Sequence, residues 1–188
     1  MKIDPQANAV LKQIERYGRA HAGMGNVSPE TGRFLCLLAK AAGARSLLEV
    51  GTSNGYSGVC LALAARYSSG LLTTLEADPA RAKMAQSNFE RAGLAGHVRL
   101  VEADARDALG ALEGPWDFVF LDCAREDYVA FFRLFYPKLL MRGLIVADNA
   151  LSHARALAPY LRLVRNHPDL ESTLVAIGKG EEVTLRLR

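Results

Sequence analysis

An α/β fold, a mostly parallel sheet with helices on both faces, is what this sequence predicts. Three observations carry that expectation. Short β-like runs alternate with longer helical stretches, and strand–helix–strand repetition builds parallel sheets. Most of the short runs are apolar at consecutive positions, as strands covered on both faces are. The last seventeen residues break the alternation: "STLVAIGKGEEVTLRLR" holds two β-like runs around Gly178-Lys179-Gly180 and reads as a hairpin adding an antiparallel pair.

In chain order, the first twenty residues carry Val10, Leu11, Ile14 and Tyr17 at helical spacing and predict an amphipathic helix laid on the domain. Residues 29–42 begin Ser28-Pro29-Glu30, a cap residue followed by proline and an acid in the first turn, and Gly43 is the stop. The first strand is "SLLEV" (46–50), followed by a helix over 57–67. "GLLTTLEA" (70–77) is the second strand, and Asp78-Pro79 opens a helix over 79–92 that ends at Gly93. "HVRLVEA" (97–103) and "WDFVFLD" (116–122) are the third and fourth strands. A helix over 126–140 separates the fourth from "GLIVAD" (143–148), the fifth.

The 188 residues, half of them hydrophobic, suffice for one domain with a full core. A net charge of +3 without a long Lys/Arg run argues against nucleic acid, and Arg155, Arg162 and Arg165 read as a solvated helix face. Cys36, Cys60 and Cys123 are odd in number and widely spaced. They read as buried free thiols of a reducing compartment, not as a disulfide framework or a metal pair. No apolar run is long enough to span a membrane, and "MKIDPQANAV" lacks the apolar core of a signal peptide, so a cytoplasmic protein is expected.

In an open parallel sheet, ligands bind beyond the carboxyl ends of the strands. The predicted strands end at or near Glu49, Glu76, Asp104, Asp122 and Asp148, an acidic rim on the binding edge. Phosphates want glycine amides, helix N-termini and a Lys or Arg. The loop Glu49-Val50-Gly51-Thr52-Ser53-Asn54-Gly55 has only two of the glycines of a dinucleotide fingerprint, differently spaced, and no Gly-Lys-Ser/Thr. Its acid would repel a pyrophosphate and suit a cationic ligand. Glu76 stands 21 residues past Gly55, where a ribose-binding acid is expected. A positively charged nucleoside without phosphate fits S-adenosylmethionine.

On these residues the sequence resembles the class I S-adenosylmethionine-dependent methyltransferases, and within them the cation-dependent O-methyltransferases of the catechol and caffeoyl-CoA type. The matching segments are "NVSPETGRFLCLLAKAAGARSLLEVGTSNGYS" (26–57), "LEADP" (75–79), "VEADA" (101–105), "WDFVFLDCAREDY" (116–128), "GLIVADNAL" (143–151) and the final hairpin. The resemblance implies a Rossmann-like, doubly wound, mostly parallel seven-stranded sheet with the C-terminal antiparallel hairpin. It also implies one methyltransferase domain over 1–188, with 1–24 a helical extension and 25–188 the catalytic core. Glu49, Gly51, Ser53, Gly55, Tyr56 and Ser57 would line the methionine moiety, with Val27 supplying backbone. Glu76 would take the ribose hydroxyls, with Ala77 beside it, and Asp104 and Ala105 would bound the adenine. Asp122, which also borders the cofactor, would bind a metal ion with Asp148 and Asn149. These are hard oxygen donors without His or Cys, a set that suits Mg²⁺.

The implied reaction moves a methyl group to a metal-bound hydroxyl of a small, catechol-like acceptor, in a homodimer. The family usually places a lysine three residues after the first metal aspartate as general base, where this sequence has Arg125. Arginine is a poor base, so Arg125 either steadies the developing phenolate or a substrate carboxylate, or the base is elsewhere, with His153 as the candidate. The segment after Asn149 is short for the family, so the pocket should be open. Trp116 and Tyr128 could touch an aromatic ring but fit better as core residues. The competing readings are a metal-independent methyltransferase and a non-catalytic S-adenosylmethionine sensor. A nicotinamide-linked dehydrogenase is weakest, for want of the third glycine.

Overall fold

The computed structural model describes residues 4–21 and 23–188; residues 1–3 and 22, part of the N-terminal extension named above, lie outside the described residues. One sheet of seven strands runs through the molecule: β1 (Ser46–Val50), β2 (Leu71–Glu76), β3 (Val98–Glu102), β4 (Trp116–Leu121), β5 (Leu139–Ala147), β6 (Leu170–Val175) and β7 (Glu181–Arg186), in the order β3-β2-β1-β4-β5-β7-β6. The first five pair in parallel, and β7 enters antiparallel between β5 and β6. The strand order reverses at β1/β4, so the crevice beyond those two strands is where an open sheet of this kind binds ligands.

Helix starts follow local chemistry. Asp4 caps α1 (Pro5–Ala20) by accepting from the Gln6 amide at 2.8 Å, Ser28 caps α2 (Pro29–Ala41), and Asp78 caps α4 (Pro79–Arg91), each with proline in the first turn. These helices and α3 (Tyr56–Tyr67) cover one face of the sheet. The helices α6 (Tyr128–Phe135) and α7 (Ala154–Arg165) cover the other, and a four-residue α5 (Ala105–Ala108) follows β3. Successive strand residues divide between the two cores: Leu47, Phe118 and Phe120 face one, Leu48, Val119 and Leu121 the other. Trp116 and Tyr128 both belong to the second core. The Tyr128 hydroxyl is buried and donates to the Leu121 carbonyl at 3.0 Å.

Two expectations need correction. The helix expected over 126–140 ends at Phe135, because a tight turn follows at 136–138, where Pro137 supplies no backbone donor, and residues 139 onward join the sheet. β5 therefore starts four residues before Gly143. Leu139 pairs with Trp116, and a bulge precedes the Phe118–Leu144 pairing, with Arg142 at φ 65° absorbing the extra chain. The bulge interrupts the apolar pattern, which is why the strand's beginning reads as helix. Second, Arg165 is not merely solvated. Its Nε and Nη2 grip the two oxygens of Glu182 at 2.7 and 2.6 Å, and that carboxylate is wholly buried.

The three cysteines are free, Cys36 and Cys60 buried and Cys123 half-buried. No helix among the described residues is long and apolar enough to cross a membrane.

Candidate functional site

A cavity of about 420 Å³ opens at the carboxyl ends of β1, β2, β3 and β4. The loop after β1 forms its floor. Gly51 has φ 102°, and a Cβ there would overlap the Asp122 carbonyl oxygen, so the loops after β1 and β4 can touch only through a glycine. Gly55, at φ 87°, then turns the chain into α3, whose first residues Tyr56 and Ser57 face the cavity.

Glu76, the last residue of β2, is held on the wall by two backbone amides. Its carboxylate accepts from the Ser53 amide at 2.6 Å and from the Asp78 amide at 3.0 Å, which leaves lone pairs for a ligand. Ser53 also donates its hydroxyl to the Met24 carbonyl at 2.7 Å, drawing the segment around Val27 over the same space. Asp104 caps α5 and meets Arg106 at 3.3 Å. Arg106 in turn reaches Asp127 at 2.6 Å. Ala77 and Ala105 complete this end.

Glu49 sits elsewhere than a strand-end reading puts it. It is one residue short of the end of β1, wholly buried and beneath the loop, with no part in the cavity lining. Thr74 donates to one of its oxygens at 2.6 Å, and the other has no donor among the described residues. Burial raises its pKa to about 7, against the lowering effect of the nearby Ser57 hydroxyl and of the Thr74 hydrogen bond. Gly55 likewise lies behind the lining.

At the other end, Asp122 and Asp148 stand one residue past β4 and β5. Asn149, at φ 72° and fully buried, donates Nδ2 to Asp122 at 3.1 Å and to Asp148 at 3.0 Å. Burial, and then the neighbouring Asp148 charge, raise the Asp122 carboxyl to about 7. Arg125 lines the cavity and donates from Nη2 to Asn149 Oδ1 at 3.3 Å. His153 does not: it is exposed ahead of α7, its ring beside the Ser152 hydroxyl at 2.9 Å. The structure thus brings Asp122, Asp148, Asn149 and Arg125 together and leaves His153 outside.

Two further residues complete this cluster. Glu181, the first residue of β7, is buried next to Asp148 with both oxygens lacking a donor among the described residues. Burial, and then Asp148, push it up to about 9. Lys179, in the preceding turn, lines the cavity and holds Nζ 3.9 Å from Asp148. Their local sequence, a lysine between two glycines and an acid pair after it, reads as solvent-exposed and carries no signal of this position.

Comparison with known proteins bears on what this cavity serves. The O-methyltransferase family profile matches residues 2–175. A catechol O-methyltransferase of Mycobacterium tuberculosis is 38% identical over 162 residues, 79% of this chain and 73% of that protein. A cofactor-bound structure of Rv0187 from MTB superposes with a TM-score of 0.86 at 33% identity, covering 98% of this chain and 90% of the other. The O-methyltransferase from Bacillus cereus in complex with SAH gives 0.86 at 28% identity, covering 99% and 92%.

Proposed function

The chain belongs to the O-methyltransferase family, and from that premise we propose that it moves the methyl group of S-adenosylmethionine to a hydroxyl of a small, catechol-like acceptor. The observation that supports this best is a single cavity with two chemically distinct ends. At one, Glu76 is locked by two amides with acceptor capacity left for two ribose hydroxyls. At the other, Asp122 and Arg125 line the cavity, with Asp148 and Asn149 buried behind them and bonded to them.

In this reading Gly51, Ser53, Tyr56, Ser57 and the backbone of Val27 hold the methionine part, Ala77 flanks the ribose, and Asp104 and Ala105 bound the adenine. Glu49 acts from beneath the loop, its buried charge favouring a sulfonium and an ammonium above it. Asp122, Asp148 and Asn149 would hold a divalent cation, Mg²⁺, once the Asn149 amide turns so that its oxygen, which accepts from Arg125, replaces the Nδ2 that faces both carboxylates. Two adjacent carboxylates with only an amide N–H between them fit such an ion. When bound, the cation supplies Lewis-acid polarisation of an acceptor hydroxyl whose free pKa is about 10. The protein's remaining task is alignment: as the O–C bond forms, the C–S bond breaks in line with it. Arg125 stays protonated, so it steadies negative charge on the acceptor instead of removing a proton. His153, off the cavity, has no role here. The reading takes the chain as one domain, 25–188 carrying the site and 1–24 the helical extension. It places the enzyme in the cytoplasm, supported by its free thiols, and as a homodimer, supported by the family resemblance.

The test is calorimetry with S-adenosylmethionine and NAD side by side, with and without Mg²⁺, followed by turnover of catechol. S-adenosylmethionine should bind and NAD should not. Glu76→Gln should weaken cofactor binding by roughly tenfold or more, the loss of charge-assisted hydrogen bonds. Binding of NAD alone would overturn the reading. One observation favours a metal-independent variant of the reaction: Lys179 already brings positive charge to Asp148. Full turnover after chelation would decide for it.

A further inference from the structure

We propose that the acceptor carries a carboxylate on the ring that bears its hydroxyl, and that Lys179 and Arg125 select it. The inference rests on the methyl-transfer reading above and names the acceptor class of that same site.

Among the described residues four cations border the cavity, and they are not equivalent. Arg106 is committed to Asp127 at 2.6 Å and Asp104 at 3.3 Å, and Arg81 to Asp78 at 3.8 Å and the Gly23 carbonyl at 3.3 Å. Arg125 has no such commitment. Its one side-chain hydrogen bond is the 3.3 Å contact to Asn149, its Nε–H has no acceptor, and no carboxylate pairs with it among the described residues. Lys179 has three ammonium donors, and the 3.9 Å approach to Asp148 is beyond hydrogen-bond reach. Two cations at the acceptor end therefore line the cavity with donors unspent, although the Arg125 Nε–H is itself buried.

Lys179 is also held in place. Gly178 and Gly180, at φ 54° and 90°, form a turn bolted to the segment after Asn149. The Leu151 and Ser152 amides donate to the Lys179 carbonyl at 3.0 and 2.9 Å, and the Ala150 amide to the Gly180 carbonyl at 2.8 Å. A Cβ on Gly180 would lie 2.6 Å from the Leu151 nitrogen. The backbone that continues from Asn149 is thus the backbone that holds the Lys179 turn at the cavity. A methyl donor whose sulfur is positive gains nothing from added cations near the reacting centre. An acceptor with an anionic substituent gains a guanidinium–carboxylate or ammonium–carboxylate contact in a partly closed cavity.

The experiment compares 3,4-dihydroxybenzoate with 3,4-dihydroxybenzamide, at saturating S-adenosylmethionine and Mg²⁺, in the wild type, Lys179→Met and Arg125→Gln. The acid should exceed the amide in kcat/KM by about tenfold in the wild type. Each substitution should cut that ratio several-fold through the KM of the acid, and Arg125→Gln should in addition lower kcat for both compounds, because Arg125 also steadies charge on the acceptor. A ratio near one in the wild type, or a ratio that neither substitution moves, overturns the inference. If Lys179→Met instead weakens S-adenosylmethionine binding and leaves the ratio intact, the cations serve the cofactor's own carboxylate, and the inference is equally overturned. If neither compound is methylated, the catechol-like reading fails separately. Calorimetry of the two compounds on the S-adenosylhomocysteine-loaded protein then decides: tighter binding of the acid that is lost in Lys179→Met supports the selection, and equal binding overturns it.

Discussion

Replacing Glu49 by Gln should make the protein more stable at neutral and alkaline pH while weakening its hold on the cofactor. Glu49 is wholly buried, Thr74 is its one side-chain donor in hydrogen-bond geometry, and its second oxygen has none among the described residues. Burial lifts its pKa from 4.5 to about 7. The sign follows from proton counting. Between these two values the folded state binds more protons than the unfolded chain, so stability falls as pH rises through the window and the full cost is reached above pH 7. A shift of 2.5 pH units (7 − 4.5) at about 1.36 kcal/mol each amounts to about 3 kcal/mol at pH 8, and to less than about 1 kcal/mol at pH 5. Glutamine keeps the shape and can still accept from Thr74, so it removes the ionisation cost without opening a cavity.

The assay is urea unfolding of wild type and variant at pH 5 and pH 8, read as a difference of differences because Asp122 and Glu181 titrate in the same direction. The variant's advantage should grow by about 2 kcal/mol between the two pH values. Calorimetry should show S-adenosylmethionine binding weakened, since the charge beneath the loop is gone. An advantage that is the same at both pH values would refute the burial argument. Unchanged cofactor affinity would refute the electrostatic role.

Three other outcomes follow from the same geometry. Gly51→Ala places a Cβ against the Asp122 carbonyl at a positive φ, and should cost about 2 kcal/mol or more and abolish cofactor binding, read by thermal unfolding and calorimetry. Divalent-cation affinity, followed with Mn²⁺ by electron paramagnetic resonance, should fall about tenfold per pH unit below pH 7, because the proton on Asp122 must leave first; a flat profile from pH 6 to 8 would remove Asp122 from the ligand set. Arg165→Ala strands the buried Glu182 carboxylate with only Ser172 and should destabilise by about 2 kcal/mol, the larger range for a broken buried pair being discounted because Arg165 is half exposed.

Much of this architecture is readable from local signals, and the residues show why. Asp4-Pro5, Ser28-Pro29 and Asp78-Pro79 start helices because a side-chain acceptor and a proline act within one turn. Glu76, Asp122 and Asp148 were legible because a parallel sheet sends every strand's carboxyl end to one edge, so position along the strand predicts position in space. Glu49 lies in a strand whose expected bounds, 46–50, hold; what the sequence did not show is that its side chain alternates into the interior beneath the loop instead of reaching the cavity.

Lys179 and Glu181 escaped for a different reason, and that reason is what ties the hairpin to chemistry. Nothing local marks them, since a Gly-Lys-Gly turn reads as solvent-exposed and an acid pair after it reads as surface. Their position depends on β7 running antiparallel to β5 with Ala147 opposite Glu182. One step further along that register lie Asp148 and Glu181, one buried acid beside another, with the lysine of the turn reaching back to the same carboxylate. A pairing more than thirty residues apart in the chain thus turns two strand-end acids into a cluster with its own internal cation. If β7 only closed the sheet, Lys179→Met would leave both ligand affinity and acceptor preference unchanged. Because its turn is bonded to the backbone that carries Asn149, the substitution should alter what the cluster binds without unfolding the sheet.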